Sequence, residues 1–271
     1  MQGISKYLTT RWRKLIGVNP TPHNNSDTFL TLEETKIERR FDMPYRKTYA
    51  FEGEYIDQYH RWLATAPRHE TGMLDIGIDG WMLPADALKL YEMAYFSGDI
   101  LELGTFMGLS TTVLANAIAN SGRPRPVVSI EVSQELTNVA REGLVRRKVA
   151  GRKNIHFFTV GSSEAMRTMQ REARRYSFIF VDASHAYEDV KDTCLFMPDV
   201  LLPGGFCLFH DYNDPRNGMA DVNDYGVYQA VEDGLAKDCF EFHGIFGCTG
   251  LFRRSDGLPG GAPLPVSNCG S

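Results

Sequence analysis

From about Gly80 onward the chain alternates between short apolar runs and amphipathic segments, and this alternation restricts its fold more than any other feature. "WMLPADALKLYEMAY" reads as a helix with Pro84 in its first turn, where the missing N–H would have no partner anyway. "DILELG" is a strand, and "STTVLANAIAN" a helix with Ser110 as its cap. "PVVSIEV" is the next strand, followed by a helix from Ser133 to about Val149 that stops near Gly151. "NIHFFTV" is a strand, "EAMRTMQREARR" a helix and "YSFIFVD" a fourth strand. The following helix carries Val190, Cys194, Met197 and Val200 on one face and is bent or restarted at Pro198. "GGFCLFHD" is a fifth strand, "VYQAVEDGLA" a helix, and "FEFHGIF" and "CTGLFRR" pair as an antiparallel hairpin. Strands alternating with helices predict an α/β fold with a doubly wound, mostly parallel sheet. Ligands then bind beyond the carboxyl ends of the strands, at the topological switch point.

Two strands run straight into acid and histidine at that edge. "FIFVDASHAYEDV" ends in Asp182 and His185, and "GGFCLFHDYND" in His210 and Asp211. Unpaired polar groups are costly inside a sheet, so these four belong to loops outside it. The first strand leads into "ELGTFMGLST", where Gly104 and Gly108 frame a tight turn and allow close backbone approach to a ligand. The second ends at Glu131 in "VVSIEVSQE", where a carboxylate can accept from both hydroxyls of a ribose. The turn is not the G-x-G-x-x-G of dinucleotide sites, so the ligand need not carry a pyrophosphate. The competing reading is that both glycines serve packing and Glu131 is a solvated cap.

In their order, "ILELGTFMGLSTTVLANAI", "VVSIEVSQE", "VGSSEAM" and "FIFVDASHAYEDVKDTCLFMPDVLLPGGFCLFHDY" resemble the successive motifs of class I S-adenosylmethionine-dependent methyltransferases. The resemblance is to a bacterial small-molecule branch whose fourth strand ends in Asp-x-x-His-x-Tyr, and it runs from about Gly80 to Arg254. It implies a Rossmann-like, seven-stranded sheet with an antiparallel last hairpin. It also implies that Glu102, Gly104 and Gly108 line the methionine part of S-adenosylmethionine, with Asp182 beside them. Glu131 would take the ribose, Ser162 and Ser163 would lie near the adenine, and Trp81 would close over the cofactor.

Methyl transfer to a hydroxyl requires alignment and removal of a proton. His185 is the expected general base, as it resembles the base of metal-dependent sugar O-methyltransferases; His210 is the second candidate, and Asp182 belongs with both. Asp182 and Asp211 end strands that would be neighbours, so they could share a hard cation such as Mg²⁺. Where catechol-type relatives have Asn after the second Asp, this chain has Tyr212, which leaves a third metal ligand unassigned. Tyr187 and Tyr212 are candidate pocket walls. The expected acceptor is a hydroxylated small molecule, a sugar, phenol or other secondary metabolite. Two other functions share this sheet: a nucleotide-dependent oxidoreductase, and a non-catalytic binding subunit.

Composition narrows partners and compartment. The net charge of −5 weighs against a nucleic-acid binder. Five cysteines without a CxxC pair suggest neither a disulfide framework nor a zinc site, which fits the cytoplasm. No apolar run approaches the roughly 20 residues of a membrane span. Residues 1–79 read as a helical and linker extension, 80–254 as the methyltransferase domain and 255–271 as a disordered tail. The extension opens with a basic segment in which Leu8, Trp12, Leu15 and Ile16 recur at helical spacing. Such a helix would dock on the domain or on a second copy in a homo-oligomer; the alternative is a membrane surface.

Overall fold

The computed structural model describes residues 55–219 and 225–255; the expected N-terminal basic helix and the C-terminal tail lie outside the described residues. Strands β1 (Ile100–Leu103), β2 (Val127–Glu131) and β4 (Tyr176–Val181) are buried along almost their whole length. A strand buried on both faces needs cover on both, and helices supply it. Strands β3 (Ile155–Thr159), β5 (Leu201–Phe209), β6 (Phe240–Phe246) and β7 (Thr249–Arg254) complete a seven-stranded sheet ordered β3-β2-β1-β4-β5-β7-β6. β1 to β5 are parallel, and β7 runs antiparallel between β5 and β6. The order reverses between β1 and β4, which makes the gap above them the switch point.

Helices α1 (Gln58–Thr65), α2 (Pro84–Phe96) and α3 (Leu109–Asn120) contribute Leu63, Leu88 and Val113 to the core on one face, joined by Leu144 of α4 (Gln134–Arg146). Helices α5 (Ser162–Arg171), α6 (Tyr187–Val200) and α7 (Val227–Gly234) contribute Met166, Cys194 and Val231 on the other. Strand residues alternate accordingly: Phe178 and Phe180 face the first core, Ile179 and Val181 the second. Leu63 and Leu74 are fully buried in the first core, so residues before Gly80 share it.

Two local expectations are corrected. Ser110 does not cap α3; Gly108 does, with φ of 88°, a left-handed backbone that favours glycine. α6 is continuous from Tyr187 to Val200 through Pro198, so the expected restart does not occur. Ser133, where the helix was expected to begin, is the cap of α4, its hydroxyl accepting from Leu136 N at 3.3 Å. Cys194, Cys207 and Cys248 are free thiols, whereas Cys239 is disulfide-bonded, a departure from the sequence expectation. Among the described residues no helix is long and apolar enough to cross a membrane.

Candidate active site

Register brings the acid and histidine pairs together. Leu103 pairs with Val181, and Val181 with Phe209, so Gly104, Asp182 and His210 each stand one step past the same row. The ladder continues through them, with Asp182 N donating to Leu103 O at 2.8 Å and His210 N to Val181 O at 2.9 Å. Val181 and Phe209 face the second core, so alternation turns Asp182 and His210 toward the α2 side. Their side chains meet there, His210 Nδ1 lying 3.2 Å from Asp182 Oδ1. Alternation alone would send Asp211 the other way. Its φ of 59° reverses the backbone and returns its carboxylate, with Oδ1 3.4 Å from the same Nδ1. A left-handed aspartate is the kind of strain that sites retain.

His185 follows β4 on the loop into α6. Its Nε2 lies 3.0 Å from Asp211 Oδ2 and 4.0 Å from Asp182 Oδ1. Burial alone would lower its pKa, but the hydrogen bond and charge of Asp211, together with Asp182, raise it overall. The Asp211 carboxylate is held well below the usual range: burial opposes this, and the two histidines outweigh burial. Tyr225 stacks on the His185 imidazole, with centroids 4.8 Å apart and planes at 22°. Arg216 lies over the Tyr225 ring at 4.1 Å, anchored by a two-point pair with Asp214 at 2.8 Å.

Asp182, His185, His210, Asp211 and Arg216 form one wall of a cavity of about 300 Å³, near the lower end of ligand-site volumes. Trp81, Met82, Phe106 and Leu109 form the apolar wall. Trp81, 37 % exposed, packs on Phe106 with centroids 5.6 Å apart. Gly104 lines the cavity too, but the reason for glycine there lies elsewhere. A Cβ at Gly104 would fall 2.0 Å from Asp182 O, and one at Gly108 would fall 3.1 Å from Ala140 Cβ. Both positions therefore meet packing limits, and Gly104 sets how closely the β1 and β4 loops approach.

Other expected site residues are not among those that line this cavity. Glu102 is fully buried beneath it, its carboxylate accepting from Ser110 Oγ at 2.7 Å, Thr111 Oγ1 at 2.8 Å and Ser129 Oγ at 2.5 Å. Ser110 lines the cavity and Glu102 does not, so Glu102 ties β1, β2 and α3 together instead of lining the site. Glu131 ends β2, accepting from Phe106 N at 2.9 Å and Ser133 N at 3.0 Å. It thereby holds Phe106 in a left-handed backbone with φ of 46°. Ser162 and Ser163 begin α5, half-buried beyond β3 and outside the cavity lining. Tyr212 is core: its hydroxyl donates to Glu232 Oε1 at 3.0 Å, and its ring abuts Phe252. Tyr187 donates to Asp233 Oδ2 at 3.0 Å, away from the cavity. Sequence reading did not single out Phe106, Arg216 or Tyr225 as residues; the local signal for the last two was the Asp-, Asn- and Gly-rich loop after the fifth strand, "DYNDPRNGMADVNDYG", in which they lie.

Residues 101–212 match the family model described as "Methyltransferase domain". The chain is similar to the solved structure of an O-methyltransferase from Bacillus cereus in complex with SAH. The two share 18 % identity over 66 % of this chain and 83 % of that one, with a TM-score of 0.54. It is also similar to TomG, an O-methyltransferase from Streptomyces achromogenes involved in tomaymycin synthesis, in complex with SAM. That match has 20 % identity over 64 % and 81 % of the chains, with a TM-score of 0.51. The SAH-bound methyltransferase PaMTH1 from Podospora anserina matches at 16 % identity over 73 % and 87 %, with a TM-score of 0.51. At such identities these likenesses concern the fold. A search of curated proteins found no match.

Proposed function

We propose, from the premise that this chain belongs to the class I S-adenosylmethionine-dependent methyltransferases, that it methylates a hydroxyl oxygen of a small molecule with His185 as general base. The observation that carries this reading is the His185–Asp211 pair, 3.0 Å apart on the wall of a cavity at the switch point. A carboxylate only accepts, so Asp211 takes Nε2–H and the basic lone pair of His185 stands on Nδ1. That nitrogen takes the hydroxyl proton as the acceptor oxygen attacks. S-Adenosylmethionine, when bound, supplies the methyl group on a sulfonium that departs as a neutral thioether. The donor set suits it: each Glu131 oxygen accepts one backbone N–H and keeps a lone pair for a ribose hydroxyl. Trp81 and Phe106 would exclude water from the transfer.

The same wall suits a divalent cation. Asp182 and Asp211 each offer a carboxylate oxygen, a hard pair appropriate to Mg²⁺ or Mn²⁺, while His185 keeps its Nε2–H on Asp211. Such an ion would supply stabilisation of the developing oxyanion.

Melting the full chain with S-adenosylhomocysteine tests the cofactor. At a hundred times its dissociation constant a ligand adds about 2.7 kcal/mol, worth several degrees in Tm. No shift would refute the reading. His185→Gln, assayed by transfer of a labelled methyl group to a panel of phenols and sugars, should retain the shift and lose turnover by at least about 100-fold. Undiminished turnover would remove His185 from the mechanism.

A further inference from the structure

Behind His210, on the side away from His185, a second group of side chains converges that proton abstraction does not use. Asp86 comes from the first turn of α2, His210 from the end of β5, and Cys248 from the turn between β6 and β7. His210 Nε2 lies 3.4 Å from Cys248 Sγ, Cys248 Sγ 3.5 Å from Asp86 Oδ2, and His210 Nε2 3.7 Å from Asp86 Oδ2. Zinc bonds of about 2.3 Å to sulfur and about 2.0 Å to nitrogen and oxygen, arranged tetrahedrally, set ligand separations of roughly 3.3–3.6 Å. The two distances to sulfur match the roughly 3.5 Å of such a pair, and the His210–Asp86 separation is wider than the roughly 3.3 Å of a nitrogen–oxygen pair, so binding would draw these two groups together.

We propose that Asp86, His210 and Cys248 form a buried site for a borderline-soft divalent cation of the zinc type. The surroundings are built as such sites are. A histidine on a metal commonly presents its other ring nitrogen to a carboxylate. His210 Nδ1 does so, 3.2 Å from Asp182 and 3.4 Å from Asp211, at ion-pair distance rather than in an aligned hydrogen bond. Besides the Cys248 thiol, which donates to Oδ2, Asp86 is fixed by three donors: Leu83 N at 2.8 Å, Cys248 N at 2.9 Å and Thr249 Oγ1 at 2.7 Å. Gly247, with φ of 58°, lets the turn close on that carboxylate, since a Cβ there would lie 2.5 Å from Asp86 Oδ1.

A purely structural role, tying α2 to the last hairpin, accounts for the three hydrogen bonds to Asp86. It does not require a thiol and an imidazole to share the remaining side of Oδ2. A carboxylate and a thiolate would balance the ion's two charges, and binding would release the thiol proton. A water reaching His210 from the cavity, or Asp211 Oδ1 at 3.6 Å from the same sulfur, would take the fourth position. The ligands come from three separate elements, which explains why no cysteine spacing announces the site. The proposal is independent of the methyl-transfer reading.

The test is a Co²⁺ titration of the full chain, purified under reducing conditions and stripped of metal. The expected result is a thiolate-to-cobalt charge-transfer absorption in the near ultraviolet, abolished by added Zn²⁺. It should be lost in Cys248→Ser and kept in His185→Gln. Absence of that absorption in the wild type, or its persistence in Cys248→Ser, would overturn the proposal. X-ray absorption of the wild type loaded with one equivalent of Zn²⁺ decides the matter without a variant. One sulfur at about 2.3 Å supports the site, and a shell of only oxygen and nitrogen refutes it.

Discussion

Replacing Glu102 by Gln should change how stability depends on pH, in a direction and amount that follow from its surroundings. The carboxyl group is fully buried, and burial raises its pKa from an ordinary 4.5 to about 7 despite hydrogen bonds from Ser110, Ser129 and Thr111. Between these values the folded chain holds a proton at this site that the unfolded chain has released. Stability therefore falls as pH rises through the window, because the native state must then carry a buried anion. At 1.36 kcal/mol per pKa unit, the loss between pH 5 and pH 8 is about 2–3 kcal/mol. Gln has the same shape and does not ionise, and the three hydroxyls can rotate to suit it. Urea unfolding of both proteins, followed by tryptophan fluorescence, should show Glu102→Gln gaining about 2–3 kcal/mol on the wild type between those pH values. The wild-type curve alone is no test, because buried His60 has the opposite slope. Burial lowers its pKa to about 4, so its contribution is lost as pH falls through 6.5. If the difference between the two proteins were constant within about 0.5 kcal/mol, Glu102 would be ionised throughout and the three hydroxyls would suffice to solvate it.

Gly104→Ala should cost about 2–5 kcal/mol in urea unfolding, because the new methyl meets backbone that no side-chain rotation can move; a loss below about 1 kcal/mol would show that the two loops can part. Asp211→Asn removes the main upward influence on His185, so the ascending limb of the pH–rate profile should move to lower pH, with kcat down by about 100-fold. An unmoved limb would assign it to another group. Leu63→Ala should cost about 2–5 kcal/mol in a single unfolding transition if α1 belongs to the same cooperative unit as the sheet; a separate early transition would show that it does not.

The strands and the edge they share were legible because each is an apolar run with an abrupt end, and an abrupt end in Asp or His has few uses. Asp182, His185, His210 and Asp211 were visible for that reason. What each of them touches was not. Asp211 reaches its partners only through a left-handed backbone that no residue preference announces. Read next to Gly104, Glu102 is a ligand-facing acid; three hydroxyls from α3 and β2 turn it inward. Asp86 meets Cys248 across 162 residues of chain, so neither helix period nor cysteine spacing could bring them together.

The insertion of β7 between β5 and β6 has a bearing on how the chain is made. β5 leads into His210 and Asp211, and among the described residues its outer edge is closed by Thr249–Arg254. Until those residues leave the ribosome, the strand behind the site is an open edge, able to pair with another nascent chain. Synthesis and the integrity of the site are thus joined at β7. A product stopped short of Thr249 would retain all four of those acid and histidine side chains, yet the sheet edge behind two of them would lie bare.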